Sequence, residues 1–145
     1  MQKNGEPKRL EDFAGYNLRR ASNVVLSDFA DMFAGSGVRP TSFSVACVID
    51  EQPGTTSAEI CRILGLQRAN IVALLAELDA LGTIRRVDDE NDKRSQRLYL
   101  TDRGEVDLAA WRAMAASHET RALSRLSDDE QAQLVDMLRR IWRDA

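Results

Sequence analysis

The chain has 145 residues, which suits one domain of common size with a real core. Its 20 Lys and Arg against 23 Asp and Glu leave a net charge of −3, which argues weakly against a nucleic-acid partner but leaves room for a local basic patch. Two cysteines, Cys47 and Cys61, lie in apolar segments without paired spacing, and with one histidine they offer neither a disulfide framework nor a four-ligand zinc site.

The stretch Met1 to Arg9 is polar and carries no apolar run, so no signal peptide is expected, and no window approaches the roughly 20 apolar residues of a membrane span. The expected setting is the cytoplasm, away from the membrane. Residues up to about Leu10 read as a loose tail. From Glu11 to about Ala34, Leu18, Ala21, Val25, Phe29 and Met32 recur at three- and four-residue steps, the stripe of a long helix. Gly35-Ser36-Gly37 ends it.

A second helix starts at Pro40, with Thr41 as its expected cap and Phe43, Ala46, Cys47 and Ile49 as its inner face. Gln52-Pro53-Gly54 breaks it. Thr56 and Glu59 make a Thr-x-x-Glu capping box that opens a short helix, which Gly65 closes. Gln67 to Leu81 forms the next helix. Ile71, Leu74, Leu75, Leu78 and Leu81 share one side, and Ala69, Val72, Ala73, Ala76 and Ala80 the other.

After Gly82, Thr83–Val87 and Gln96–Leu100 flank an acidic, Asn-containing turn and read as a hairpin. Thr101 caps a helix running to about Leu123, rich in alanines that allow another helix close. Ser127 and Glu130 make a second capping box, and the last helix carries Leu134, Val135, Leu138, Ile141 and Trp142 on one stripe. The first helix and the last two have little to pack on within one chain, so a homodimer through these helices is expected.

The order helix, turn, helix, hairpin from Thr56 to Gly104 is that of a DNA-reading head. A helix in a major groove needs a low-profile outer face with polar readers in its first turns, here Gln67, Arg68 and Asn70 beside Ala69, Val72 and Ala73. Thr56 and Ser57, at the start of the preceding helix, join this set. On the hairpin, Arg86, Lys93, Arg94 and Arg97 are candidates for phosphate or minor-groove contact, and Asp92 is placed to orient Arg94 through an i, i+2 contact.

The run Asp92-Lys93-Arg94-Ser95, followed by Leu98-x-Leu100-Thr101-x-x-Gly104, resembles the wing signature of the multiple-antibiotic-resistance regulator (MarR) family. The Gly65-Leu66 junction, the Leu74, Leu78, Gly82 spacing and the flanking helices agree, so the resemblance covers nearly the whole chain. It implies a mainly α (α+β) fold: a winged helix-turn-helix with a two-stranded wing, residues 38–101, between dimerisation helices at 11–34 and 102–145 of one domain. It also implies a homodimeric repressor on a pseudo-palindromic site in double-stranded DNA, with Arg94 in the minor groove and 67–73 in the major groove. Many members carry a hydroxyl and a basic residue where this chain has Val72 and Ala73, which moves the reading toward Gln67, Arg68 and Asn70, or toward thymine-methyl contacts.

Family members often bind a small aromatic or phenolic acid between head and dimerisation helices. Here Tyr16, Asn17, Arg20, Phe43, Cys47, Trp111 and His118 are the candidate walls of such an effector site. No cofactor and no metal is expected, and no arrangement of nucleophile, base or phosphate loop points to an enzyme. Two alternatives stand beside the ligand-released repressor: a regulator sensing redox state through Cys47 or Cys61, and a winged-helix module that docks protein and not DNA.

Overall fold

The computed structural model describes residues 8–143, so most of the expected N-terminal tail lies outside the described residues. A turn of 3-10 helix, Leu10–Asp12, precedes α1 (Ala14–Phe33), α2 (Pro40–Glu51), α3 (Ser57–Leu64) and α4 (Arg68–Ala80). The hairpin β1 (Ile84–Asp88) and β2 (Gln96–Leu100) comes next, then α5 (Asp102–Ala122) and α6 (Asp128–Trp142). Among the described residues, no helix is long and apolar enough to cross a membrane.

The head is built around α2 and α4. Val45, Ala46 and Ile49 of α2 meet Ile60 of α3, Leu74, Leu75 and Leu78 of α4, and Ile84 and Leu98 of the hairpin in one buried cluster. Deleting a fully enclosed side chain such as Leu78 costs about 2–5 kcal/mol, so this cluster fixes the angle between the helices. Glu77 adds a polar tie between them: its carboxylate accepts from Arg39 Nε at 2.9 Å, from the Arg39 amide at 3.1 Å and from the Ser42 hydroxyl.

The hairpin pairs Ile84 with Leu100, Arg86 with Leu98 and Asp88 with Gln96. Thr55 adds an isolated bridge to Leu98, with the Leu98 amide donating to the Thr55 carbonyl and the Gly54 amide to the Leu98 carbonyl, both at 2.9 Å. The turn before α3 is thereby stitched to the base of the wing. At the other end, a Cβ on Gly104 would lie 2.0 Å from the Thr83 carbonyl oxygen, so only glycine lets α5 start this close to β1.

Four sequence expectations shift. The 3-10 turn takes up Leu10–Asp12 and Phe13 is extended, so α1 begins at Ala14 and not Glu11. Arg39, not Thr41, is the N-cap of α2, because Pro40 occupies the first helical position, where its missing N–H is harmless. The inner face of α2 is Ser42, Val45, Ala46, Val48 and Ile49; Phe43 and Cys47 sit half-buried at its edge. Gln67 is the N-cap of α4 and stands outside the helix.

Burial is uneven. Phe33 is the one buried residue of α1 and α6 buries none, although Ile141 is 61% and Trp142 59% exposed. Leu134, Val135 and Leu138 of α6 are half-buried toward α1 and α5, while Ile141 and Trp142 leave the end of its apolar stripe uncovered in the single chain.

Candidate nucleic-acid interface

Three local structures place the reading surface. The first is the expected capping box of α3. The Glu59 amide donates to the Thr56 hydroxyl at 3.3 Å, and the Glu59 carboxylate accepts from the Thr56 amide at 2.9 Å and the Thr55 hydroxyl at 3.0 Å. The bond from the Thr56 amide, then the one from the Thr55 hydroxyl, holds the Glu59 carboxyl below its ordinary value. The second is Gly65, left-handed at φ 64°, with the Leu66 amide bonding back to the Cys61 carbonyl at 2.9 Å. That cap turns the chain sharply into α4. The third is α4 itself: Ile71, Leu74, Leu75 and Leu78 face the core, and Arg68, Ala69, Asn70, Val72 and Ala73 face solvent. Val72 is 69% exposed, so its methyls stand free on the outer face.

The wing arginines divide by partner. Arg86 binds Asp79 of α4 through Nε at 3.1 Å and through Nη2. Arg97 donates to the Gly54 carbonyl at 2.9 Å and reaches the Asp89 carboxylate at 3.1 Å. Arg85 lies over the Tyr99 ring, 4.5 Å from its centroid. Among the described residues, Lys93 and Arg94 form no ion pair and are exposed at the tip. The i, i+2 contact of Asp92 is present, but it is made to the Arg94 backbone amide at 3.0 Å, and the Ser95 amide bonds the Asp92 carbonyl at 2.9 Å. Asp92 therefore shapes the turn that presents Arg94 and does not grip its guanidinium.

Between α4 and the wing lies a groove of about 510 Å³ lined by Thr56, Ser57, Arg68, Val72, Arg86 and Arg94, among others. Gln67, Ala69, Asn70, Ala73 and Lys93 flank it on the exposed face or tip. Arg97 is the member of the expected set whose guanidinium is held by both the Gly54 carbonyl and Asp89.

A second cavity, about 830 Å³ and mostly apolar, opens between α1, α5 and α6. Of the expected effector walls it takes Phe43 and His118. Tyr16, Asn17, Arg20, Cys47 and Trp111 do not line it. On α1 the lining residues are Leu18, Ala21, Ser22, Val25, Leu26 and Phe29, and successive residues turn by about 100°, which carries Asn17 and Arg20 to another face. Asn17 instead bonds the Glu11 and Phe13 carbonyls, and Trp111 is buried in the core. Phe29 stacks edge-on to His118 at 5.1 Å and lies 6.1 Å from Phe43, making an aromatic inner end. His118 is buried, with Nε2 3.0 Å from Asp28 Oδ2 but out of line for a hydrogen bond.

Arg112 also lines this cavity, and nothing in the sequence spacing singled it out. Its guanidinium pairs with Asp50 at 3.0 Å and Glu51 at 3.5 Å on the last turn of α2. Cys47 sits beside this cluster. Burial pushes its thiol up from 9.0, Arg112 partly opposes that, and Glu51 and Asp50 add to it, so little thiolate is present at neutral pH. The redox alternative gains nothing from this environment.

Residues 36–95 match the MarR family. The transcriptional regulator HosA of Escherichia coli O157:H7 is 30% identical over 99 residues, 68% of this chain and 73% of the relative. The transcriptional repressor CouR, solved bound to a 23-mer DNA duplex, superposes with a TM-score of 0.86 at 36% identity, covering 94% of this chain and 99% of that one. CouR bound to p-coumaroyl-CoA superposes with a TM-score of 0.81, at 36% identity over 97% of this chain and all of that one.

Proposed function

The chain belongs to the MarR family of transcriptional regulators, which are not enzymes, and from that premise we propose that it is a homodimeric repressor in the cytoplasm, released from its operator by a small amphipathic ligand. One observation carries the DNA reading. Arg68 on α4 and the exposed Arg94 on the wing line the same groove, with Thr56 and Ser57 at the N-terminus of α3 beside them. That arrangement can set α4 in a major groove while Arg94 enters the neighbouring minor groove. Val72 and Ala73 then meet thymine methyls, and Arg68 meets guanine. Residues 38–101 act as the DNA-binding region and 11–34 with 102–145 as the dimerisation helices. The uncovered end of the α6 stripe, Ile141 and Trp142, supports the dimer.

The ligand reading rests on the cavity between α1, α5 and α6 and on its aromatic inner end. CouR takes an aromatic acyl thioester, and by similarity this chain takes an aryl or aryl-acyl compound of that kind.

The test is a salt series of mobility shifts on a duplex selected by the protein from random sequence. Neutralising phosphates predicts log K falling linearly with log salt, by about 0.9 per phosphate met. A shallow slope with no selected sequence would favour a protein-docking surface instead.

A further inference from the structure

We propose that Arg112 is the anion-reading residue of the α1–α5–α6 cavity and the latch that couples it to the DNA-binding head. The inference rests on the effector reading of this cavity and adds the residue that converts binding into release.

The cavity has an apolar body and one arginine among its described lining residues. Glu119, its carboxylate, stands seven residues further along α5, about 10 Å by helical rise. An amphipathic anion therefore has one favourable orientation, ring among Val25, Phe29 and Phe43, and negative end at Arg112.

Arg112 already has partners. Its pairs with Asp50 and Glu51 join α5, a dimerisation helix, to the last turn of α2, part of the head. These pairs are exposed, Arg112 at 43%, and exposed ion pairs are weak competitors for a guanidinium. A ligand that buries an apolar ring while presenting an anion can take Arg112 away from them.

The segment just after Glu51 gives that exchange its consequence. The turn Gln52-Pro53-Gly54 leads directly to the Gly54 carbonyl that holds Arg97, the Thr55 bridge to Leu98 and the Thr56 cap of α3. Freeing the end of α2 from α5 loosens the segment that sets wing against helix. The ligand-bound and DNA-bound states thus compete for one guanidinium, the differential contact that allostery requires.

The test needs no ligand in its first arm. Arg112→Gln and the double variant Asp50→Asn, Glu51→Gln both break the latch but change net charge in opposite directions. A latch predicts that both bind the selected duplex about tenfold more weakly than wild type. Charge alone predicts weaker binding for the first and tighter for the second, and unchanged or tighter binding by the double variant overturns the latch.

The second arm compares p-coumaric acid with its methyl ester. The acid, which carries its charge at the end of the ring's side chain, should release DNA from wild type, the neutral ester should not, and Arg112→Gln should lose the discrimination. Equal action of acid and ester, or a variant that still discriminates, overturns the anion reading while leaving the cavity as an effector site. Failure of both compounds to bind, as when a partner helix fills the cavity, overturns the effector reading itself.

Discussion

Arg97 Nη1 donates to the Gly54 carbonyl at 2.9 Å across 43 residues of chain, and the same guanidinium reaches Asp89 at 3.1 Å. One side chain thus ties the outer half of the hairpin to the turn that starts α3. This makes Arg97 a positioning residue, and among the described residues Arg94, three residues earlier, and Lys93 remain the cations of the tip without an ion pair.

The two arginines should separate in a salt series. Arg94→Ala is expected to weaken operator binding and to reduce the salt slope by about 0.9, the loss of one phosphate or minor-groove contact. Arg97→Ala is expected to weaken binding with the slope unchanged, because it loosens the wing without removing a DNA contact. A slope that falls by the same amount in Arg97→Ala would return it to the DNA-contacting set.

The difference between these arginines also marks what the sequence could reveal. Caps, glycines and the hairpin were legible because each is a local pattern: Thr56 with Glu59, Gly65, Thr101 and Ser127 with Glu130 all act within a few residues. The destination of a long side chain is not local. Arg97 looked like its neighbours, and its partner lies on another element. Arg112 was missed for the same reason, since Asp50 and Glu51 lie some 60 residues earlier. On α1 the expected effector walls and the cavity lining part company, because aromatic and charged residues were gathered by type, while the cavity runs along one helical face.

Arg68 should carry base preference. It lines the groove at the first turn of α4, where a guanidinium can meet guanine with two hydrogen bonds. Arg68→Ala is expected to relax selection at one position by about 1–3 kcal/mol. Sequence selection from random duplexes measures it, and an unchanged preferred site would remove Arg68 from the readers.

Acid should loosen the contact between α2 and α4. Burial pushes the Glu77 carboxyl up, but bonds from Ser42 and Arg39 and the charge of Arg39 outweigh it, leaving Glu77 below its ordinary 4.5. A depressed folded value means stability that is present above the unfolded value and lost as pH falls through the folded one. Glu59 contributes with the same sign. Thermal midpoints should therefore fall as pH drops below about 4.5, and Glu77→Gln should flatten that fall. Parallel curves for variant and wild type would exclude Glu77 as a source.

The proposed dimer should rest on the stripe of α6. Leu134, Val135 and Leu138 face the cavity shared with α1 and α5, and Ile141 and Trp142 extend the apolar surface beyond it. Each such side chain gains about 1.5–3 kcal/mol when fully covered, so a helix that buries none within its own chain is poorly held unless a second copy covers it. Light scattering at micromolar concentration should give twice the chain mass of 16.2 kDa. The pair Ile141→Glu and Trp142→Glu, outside the cavity, should shift that to monomer and weaken operator binding, since a monomer engages one half-site. Hairpin and head should survive the change, because no residue of α6 belongs to their buried core. A monomer mass for wild type, or a dimer that tolerates both glutamates, would place the interface elsewhere and leave the α6 stripe without a role in assembly.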